Sequence, residues 1–173
     1  MEARFNKGFT LIELVVVIII LGILAVVAVP KFVNLRDDAT RQVFEAEFAA
    51  FESGVKLYHT GWLVKGHSEA IDNLSSFGDG DVDSSATGWP YATEGKDTVL
   101  FDACRQLWHG VTNTDLSIDY VADADLLSTK VDIAYTYYSS PRTCIYRVVD
   151  FIQRAQPRLT MKYQVDTGSV QID

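Results

Sequence analysis

Residues 7–32 read KGFTLIELVVVIIILGILAVVAVPKF, and this stretch decides how the rest of the chain is read. From Phe9 to Val29 only Thr10 and Glu13 bring polar side chains. At ~1.5 Å rise per residue the segment makes a helix of roughly 31 Å, about the thickness of a bilayer core. Arg4 and Lys7 precede it, so the positive-inside bias predicts a cytoplasmic N-terminus and a head on the far side of the membrane. A secretory signal has a shorter apolar core followed by a small-residue cleavage site. Here the run is long and ends in Pro30 and Lys31, so processing after it is not expected. The switch from polar to apolar falls at Gly8/Phe9, and a cut there leaves the anchor attached.

Glu13 is the residue that an inert anchor does not need. An ionised carboxylate in hydrocarbon costs on the order of 3 kcal/mol or more unless it is paired or close to the interface. Two readings follow. A cut before Phe9 would create an α-amino group one turn away, or on a neighbouring copy, to pair with Glu13. Alternatively, Glu13 sits at the headgroups and is merely tolerated.

The segment from Lys7 to Phe32 resembles the N-terminal signature of the type IV pilins and their pseudopilin relatives. The resemblance implies a leader, residues 1–8, that a prepilin peptidase removes after Gly8, with N-methylation of the exposed Phe9. It places the assembly glutamate at Glu13 and the helix-bending proline at Pro30. Gly weakens a helix and Pro removes one of its hydrogen bonds, so the segment from Gly22 to Pro30 is expected to be the softest part of the rod and to unwind locally on packing.

Beyond the anchor, expected to cover residues 9–30, residues 31–173 read as a soluble head. Phe44, Phe48, Phe51, Val55 and Tyr58 fall on one helical face, with Arg41, Glu45, Glu52 and Lys56 among the water-facing charges. The helix is therefore expected to run to about residue 58 and to lie on a sheet, with a loop region beginning at Gly61 and reaching about Glu94. Strand character follows over 131–138, 143–151, 158–165 and 169–172, the last two flanking the turn Asp166-Thr167-Gly168. The expected class is α+β: a long N-terminal helix packed on a C-terminal antiparallel sheet of about four strands, the pilin fold.

Within the loop, FGDGDVDSS alternates Asp79, Asp81 and Asp83, a spacing suited to a hard cation. It is not an EF-hand, because the sixth position is Ser84 and the twelfth Pro90. A calcium site, as some pilin relatives have in a loop, and a solvated acidic turn are the two readings. No other cofactor is indicated. The GWPY run, residues 88–91, is expected to anchor the loop, with a contact surface for a neighbour as the alternative.

Cys104 and Cys144 have no His or Cys near them at metal-ligand spacing. A disulfide is favoured over two separate buried thiols, and it needs an oxidising compartment. Many pilins fasten the C-terminal part of the head in this way. The placement of this pair, the GWPY loop and the terminal hairpin most resembles the mannose-sensitive haemagglutinin (MSHA) pilin group.

The chain carries a net charge of −8, and without the first eight residues −9, so its general surface lacks the basic footprint of nucleic-acid binding. His59, His67 and His109 are scattered. There is no HExxH pattern, GxSxG elbow or Gly-rich phosphate loop, and no enzyme is expected. The resemblance implies a subunit of an MSHA-type pilus that supports surface adhesion. Its partners would be copies of itself or other pilins, the prepilin peptidase and methylase, and an assembly platform in the inner membrane. It would reside in the inner membrane with its head in the periplasm, and then in a cell-surface fibre. A pseudopilin of a type II secretion system is the alternative. A single-pass membrane protein with a periplasmic binding head is a third reading, distinguished by absence of processing at Gly8.

Overall fold

The computed structural model describes residues 9–95 and 101–173. In chain order the elements are α1 (Leu11–Val64), α2 (Ala103–Val111), β1 (Ile118–Tyr120), a 3-10 turn (Asp123–Asp125), β2 (Ile133–Ser139), β3 (Arg142–Val148), α3 (Val149–Gln153), β4 (Thr160–Gln164) and β5 (Ser169–Ile172). The chain divides into two compact units at Gln42/Val43, so the head packs on itself from Val43 onward. The first buried aromatic, Phe44, lies just past that boundary.

In the head, the aromatic stripe of α1 is the core. Phe48, Phe51, Val55 and Tyr58 are fully buried. The stripe continues one step further than the sequence suggests, to Trp62, which is 6% exposed. Gly61 therefore lies inside the helix and does not end it. The stop is Gly66: its φ of +72° suits a residue without Cβ, while Gly66 N–H donates to Leu63 O and His67 N–H to Trp62 O, the two bonds of a Schellman cap.

The sheet has the order β1-β2-β3-β4-β5. Strands β2 to β5 form an antiparallel meander with Tyr135 opposite Tyr146 and Cys144 opposite Tyr163. Alternation by two puts Tyr135, Cys144, Tyr146, Val148, Met161 and Tyr163 in the core with the α1 stripe. β1 is a fifth strand and pairs parallel with β2, Ile118 opposite Ile133. With three residues, of which only Ile118 is buried, it has too little pattern to be read from the sequence. β3 also ends earlier than expected. At Val149 the chain turns into α3, Val149 N–H donating to Asp132 O, and Phe151 meets Phe44 edge to face at 6.2 Å.

α2 closes the core. Cys104, Leu107, Trp108 and Val111 recur at helical spacing and are buried. The Trp108 ring lies 5.2 Å from Phe51 and 5.0 Å from Tyr146. Cys104, in the first turn of α2, is bonded to Cys144 on β3, and Tyr146 Oη donates to Cys104 O at 2.8 Å.

The segment between α1 and α2 is more than a surface connection. Leu74, Val82 and Ala92 are buried, with Leu74 and Val82 packed on Tyr58 and Trp62. Asp83, 3% exposed, is its staple: Oδ1 accepts Asn73 N–H at 2.9 Å and Oδ2 accepts Gly95 N–H at 2.6 Å. Its own backbone pairs with Ala92 and Tyr91. Burial raises the Asp83 carboxyl above its ordinary range, against the two N–H donors.

Two outcomes follow for the protein in detergent, read by denaturant unfolding. Replacing both Cys104 and Cys144 by Ser opens a tie across 40 residues, and the loop-closure relation gives a loss of about 4 kcal/mol. Asp83→Ala strands two amide donors and costs about 1–3 kcal/mol. Faster amide exchange over residues 71–95 is expected to accompany it, and unchanged exchange there would remove the staple role.

Candidate functional site

Two regions hold the residues singled out above: the start of α1 and the head. In the first, the 19 residues from Leu11 to Val29 make a helix long and apolar enough to cross a membrane. Nearly every side chain of that span is exposed, and Phe9 ahead of it is 88% exposed. An uninterrupted apolar cylinder of this size needs lipid or other apolar helices around it. Gly8 lies outside the described residues. Gly22 and Pro30 both lie within α1, which is helical without a break from Leu11 to Val64. At Gly22 a Cβ would meet nothing within 4 Å, so no close contact inside the chain requires glycine there.

Glu13 is held by the helix end. Thr10 N–H and Thr10 Oγ1 each donate to Glu13 Oε2 at 2.8 Å, and Glu13 N–H donates back to Thr10 Oγ1 at 3.3 Å. These bonds form a capping box, with Glu13 near the positive end of the helix dipole. The T-x-x-E spacing of Thr10 and Glu13 is visible in the sequence, but the charge of Glu13 alone does not point to Thr10.

In the head, the three aspartates do not converge. Asp83 is turned inward onto Asn73 and Gly95, while Asp79 and Asp81 are exposed and line an open groove with Phe77, Glu94 and His109. Among the described residues no group of three His, Cys, Asp or Glu side chains is placed to hold a metal ion. Each Asp83 oxygen accepts a backbone N–H, and the three aspartates do not share one centre. In the same groove, burial and the nearby Arg105 guanidinium lower the His109 pKa.

The GWPY residues and the terminal hairpin form one clasp. The Trp89 ring stacks on His59 at 3.9 Å, and His59 Nδ1 lies 2.9 Å from Gly88 O. Trp89 also lies on Gly168, where φ is +67° and a Cβ would fall 2.2 Å from the indole, so only glycine fits that turn. Tyr163 Oη donates to Pro90 O at 2.8 Å, and Thr87 Oγ1 to Asp166 O at 2.8 Å. Arg142 pairs with Asp166 and lies over the Tyr91 ring at 5.1 Å. His59 and Arg142 had no signal in the sequence, because their partners lie 29 and 24 residues away.

Residues 3–29 match the family model described as the prokaryotic N-terminal methylation motif. The chain is 55% identical over 47 residues to the type IV narrow pilus major component PilA5 of Thermus thermophilus, covering 27% of this chain and 40% of that protein. It is 41% identical over 58 residues to the type II secretion system core protein G of Klebsiella michiganensis, and 40% identical over 58 residues to that of Pseudomonas aeruginosa. Each of those two matches covers 34% of this chain and 41% of the relative. The matched segments span about two fifths of the length of these curated relatives. No solved structure matches the chain significantly. The family is one of structural proteins and not of enzymes. The first third of the chain is thus similar to the methylation motif and apolar helix of type IV pilins and type II secretion core proteins, and it is carried on an α+β head.

Proposed function

We propose that the chain is a structural subunit, major or minor, of a type IV pilus of the MSHA kind, and that it works by assembly. The observation that carries this reading is the exposed apolar helix from Leu11 to Val29, with the methylation motif at its start and one carboxylate, Glu13, in its first turn. Such a helix is stable in lipid as a single subunit and in a bundle of like helices as a fibre, so transfer between the two leaves its apolar surface covered throughout.

In this reading the prepilin peptidase cuts between Gly8 and Phe9, and the new N-terminus is methylated. Glu13 pairs with the α-ammonium of Phe9 on a neighbouring copy, which offsets the cost of a carboxylate in an apolar core and sets the stagger between subunits. Gly22 and Pro30 allow the helix to give way locally as subunits pack. The subunit waits in the inner membrane with its head in the periplasm, and an assembly platform there extracts it into the surface fibre. A disulfide in the head is consistent with that oxidising compartment. The narrower MSHA assignment rests on the resemblance in the placement of the cysteine pair, the GWPY loop and the terminal hairpin. Adhesion is then a property of the assembled fibre.

The second reading, a pseudopilin of a type II secretion system, is favoured by the similarity to core protein G. That similarity lies in the segment both classes share. Asp79, Asp81 and Asp83 do not share one centre, so they lend this reading no support.

Intact mass and N-terminal sequencing of the protein from sheared-surface and membrane fractions test the proposal. The expected result is a chain beginning at N-methylated Phe9 and abundant in the sheared fraction. Processed protein confined to the membrane fraction would favour the secretion pseudopilus, and an unprocessed N-terminus would exclude both. Glu13→Ala is expected to be processed normally and to lower the fibre yield at least tenfold.

A further inference from the structure

The capping box at the start of α1 has a geometry that bears on assembly. Both donors to the Glu13 carboxylate belong to Thr10, one from the backbone and one from the hydroxyl, and both go to Oε2. Among the described residues Oε1 accepts no hydrogen bond. Neither donor comes from Phe9, so a cut between Gly8 and Phe9 leaves the box intact. The box also holds the carboxylate at the first turn, curled toward the end of the chain where the cut creates an α-amino group.

We propose that Thr10 is a positioning residue for fibre assembly: it fixes the Glu13 side chain in one rotamer, with Oε2 satisfied and Oε1 left to accept the α-ammonium of Phe9 from a second copy of the chain. This rests on the assembly reading above. A glutamate has three side-chain torsions, and in a bilayer an unrestrained one turns toward the headgroups. Ordering it at the moment of docking costs entropy that a side chain already held does not lose. The hydroxyl also gives the carboxylate a hydrogen-bond donor inside the apolar segment, which offsets part of the cost of placing it there. Valine at position 10 has the shape of threonine and keeps the backbone donor but lacks the hydroxyl. Serine keeps the hydroxyl with a smaller side chain.

The test compares full-length wild-type protein with Thr10→Val, Thr10→Ser and Glu13→Ala in cells, reading fibre yield in the sheared fraction and the N-terminal mass of the membrane pool. Thr10→Val is expected to be cleaved and methylated as in the wild type, yet to give several-fold less fibre. Thr10→Ser should return the yield to near the wild-type level, which a role in side-chain packing alone would not produce. Wild-type yield from Thr10→Val alongside loss in Glu13→Ala would overturn the role of Thr10 and leave the assembly reading standing. A Thr10→Ser yield as low as that of Thr10→Val would overturn it in the same way. Failure of Thr10→Val to be cleaved would place the hydroxyl in peptidase recognition instead. Normal fibres from Glu13→Ala would remove both the assembly reading and the role of Thr10.

Discussion

One helix, α1, has to satisfy two different surroundings along a single backbone, and the rest of the protein follows from that constraint. From Leu11 to Val29 it is apolar on every side, and no face of it is covered. From Phe44 to Trp62 it is apolar along one stripe, and that stripe is the floor of a folded head. A fully apolar helix is at rest only in lipid or among similar helices, whereas a striped helix is at rest only against its own core. The first part therefore asks for partners outside the chain, and the second does not.

In the head the large aromatic side chains do most of the packing. Phe51 meets the rings of Trp108, Tyr146 and Tyr163, which come from α2, β3 and β4, so one residue of α1 touches three other elements of the core. The disulfide then ties α2 to β3, and the clasp of Trp89, His59 and Gly168 ties the long segment after α1 to the terminal hairpin. Polar groups in this region are used structurally. Asp83 and the hydroxyls of Tyr58, Tyr146 and Tyr163 each meet a backbone group, leaving the aspartates of the loop without a shared centre for a cation.

At the start of α1 the same economy applies to charge. Thr10 and Glu13 satisfy each other across one turn, so the carboxylate of Glu13 is not left bare in an apolar segment. This is a local interaction with a fixed spacing, and it can be written down from four consecutive residues. The clasp is the opposite case, because His59, Trp89 and Gly168 come from three parts of the chain and none of them announces the others.

How much was legible in the sequence follows this division. The apolar run, the glutamate within it, the stripe from Phe44 to Tyr58 and the four later strands are periodic or compositional features, and periodicity of 3.6 or 2 is imposed by the backbone itself. α2 carried its own signal at Cys104, Leu107, Trp108 and Val111 but was passed over because it is nine residues long and interrupted by Gly110. Glycine weakens a helix, so Gly61 reads in the sequence as the end of α1; burial of Trp62 outweighs that small penalty, and Gly66 ends it instead. The sequence by itself thus determined that there is a long apolar helix, a striped helix and a strand-rich head, because those depend on neighbours along the chain. Only the tertiary structure decided that Asp83 staples Asn73 to Gly95, that β1 joins the sheet in parallel, and that Trp89 rests on Gly168. Those outcomes depend on which distant backbone groups come within reach, and that is settled by packing and not by local pattern.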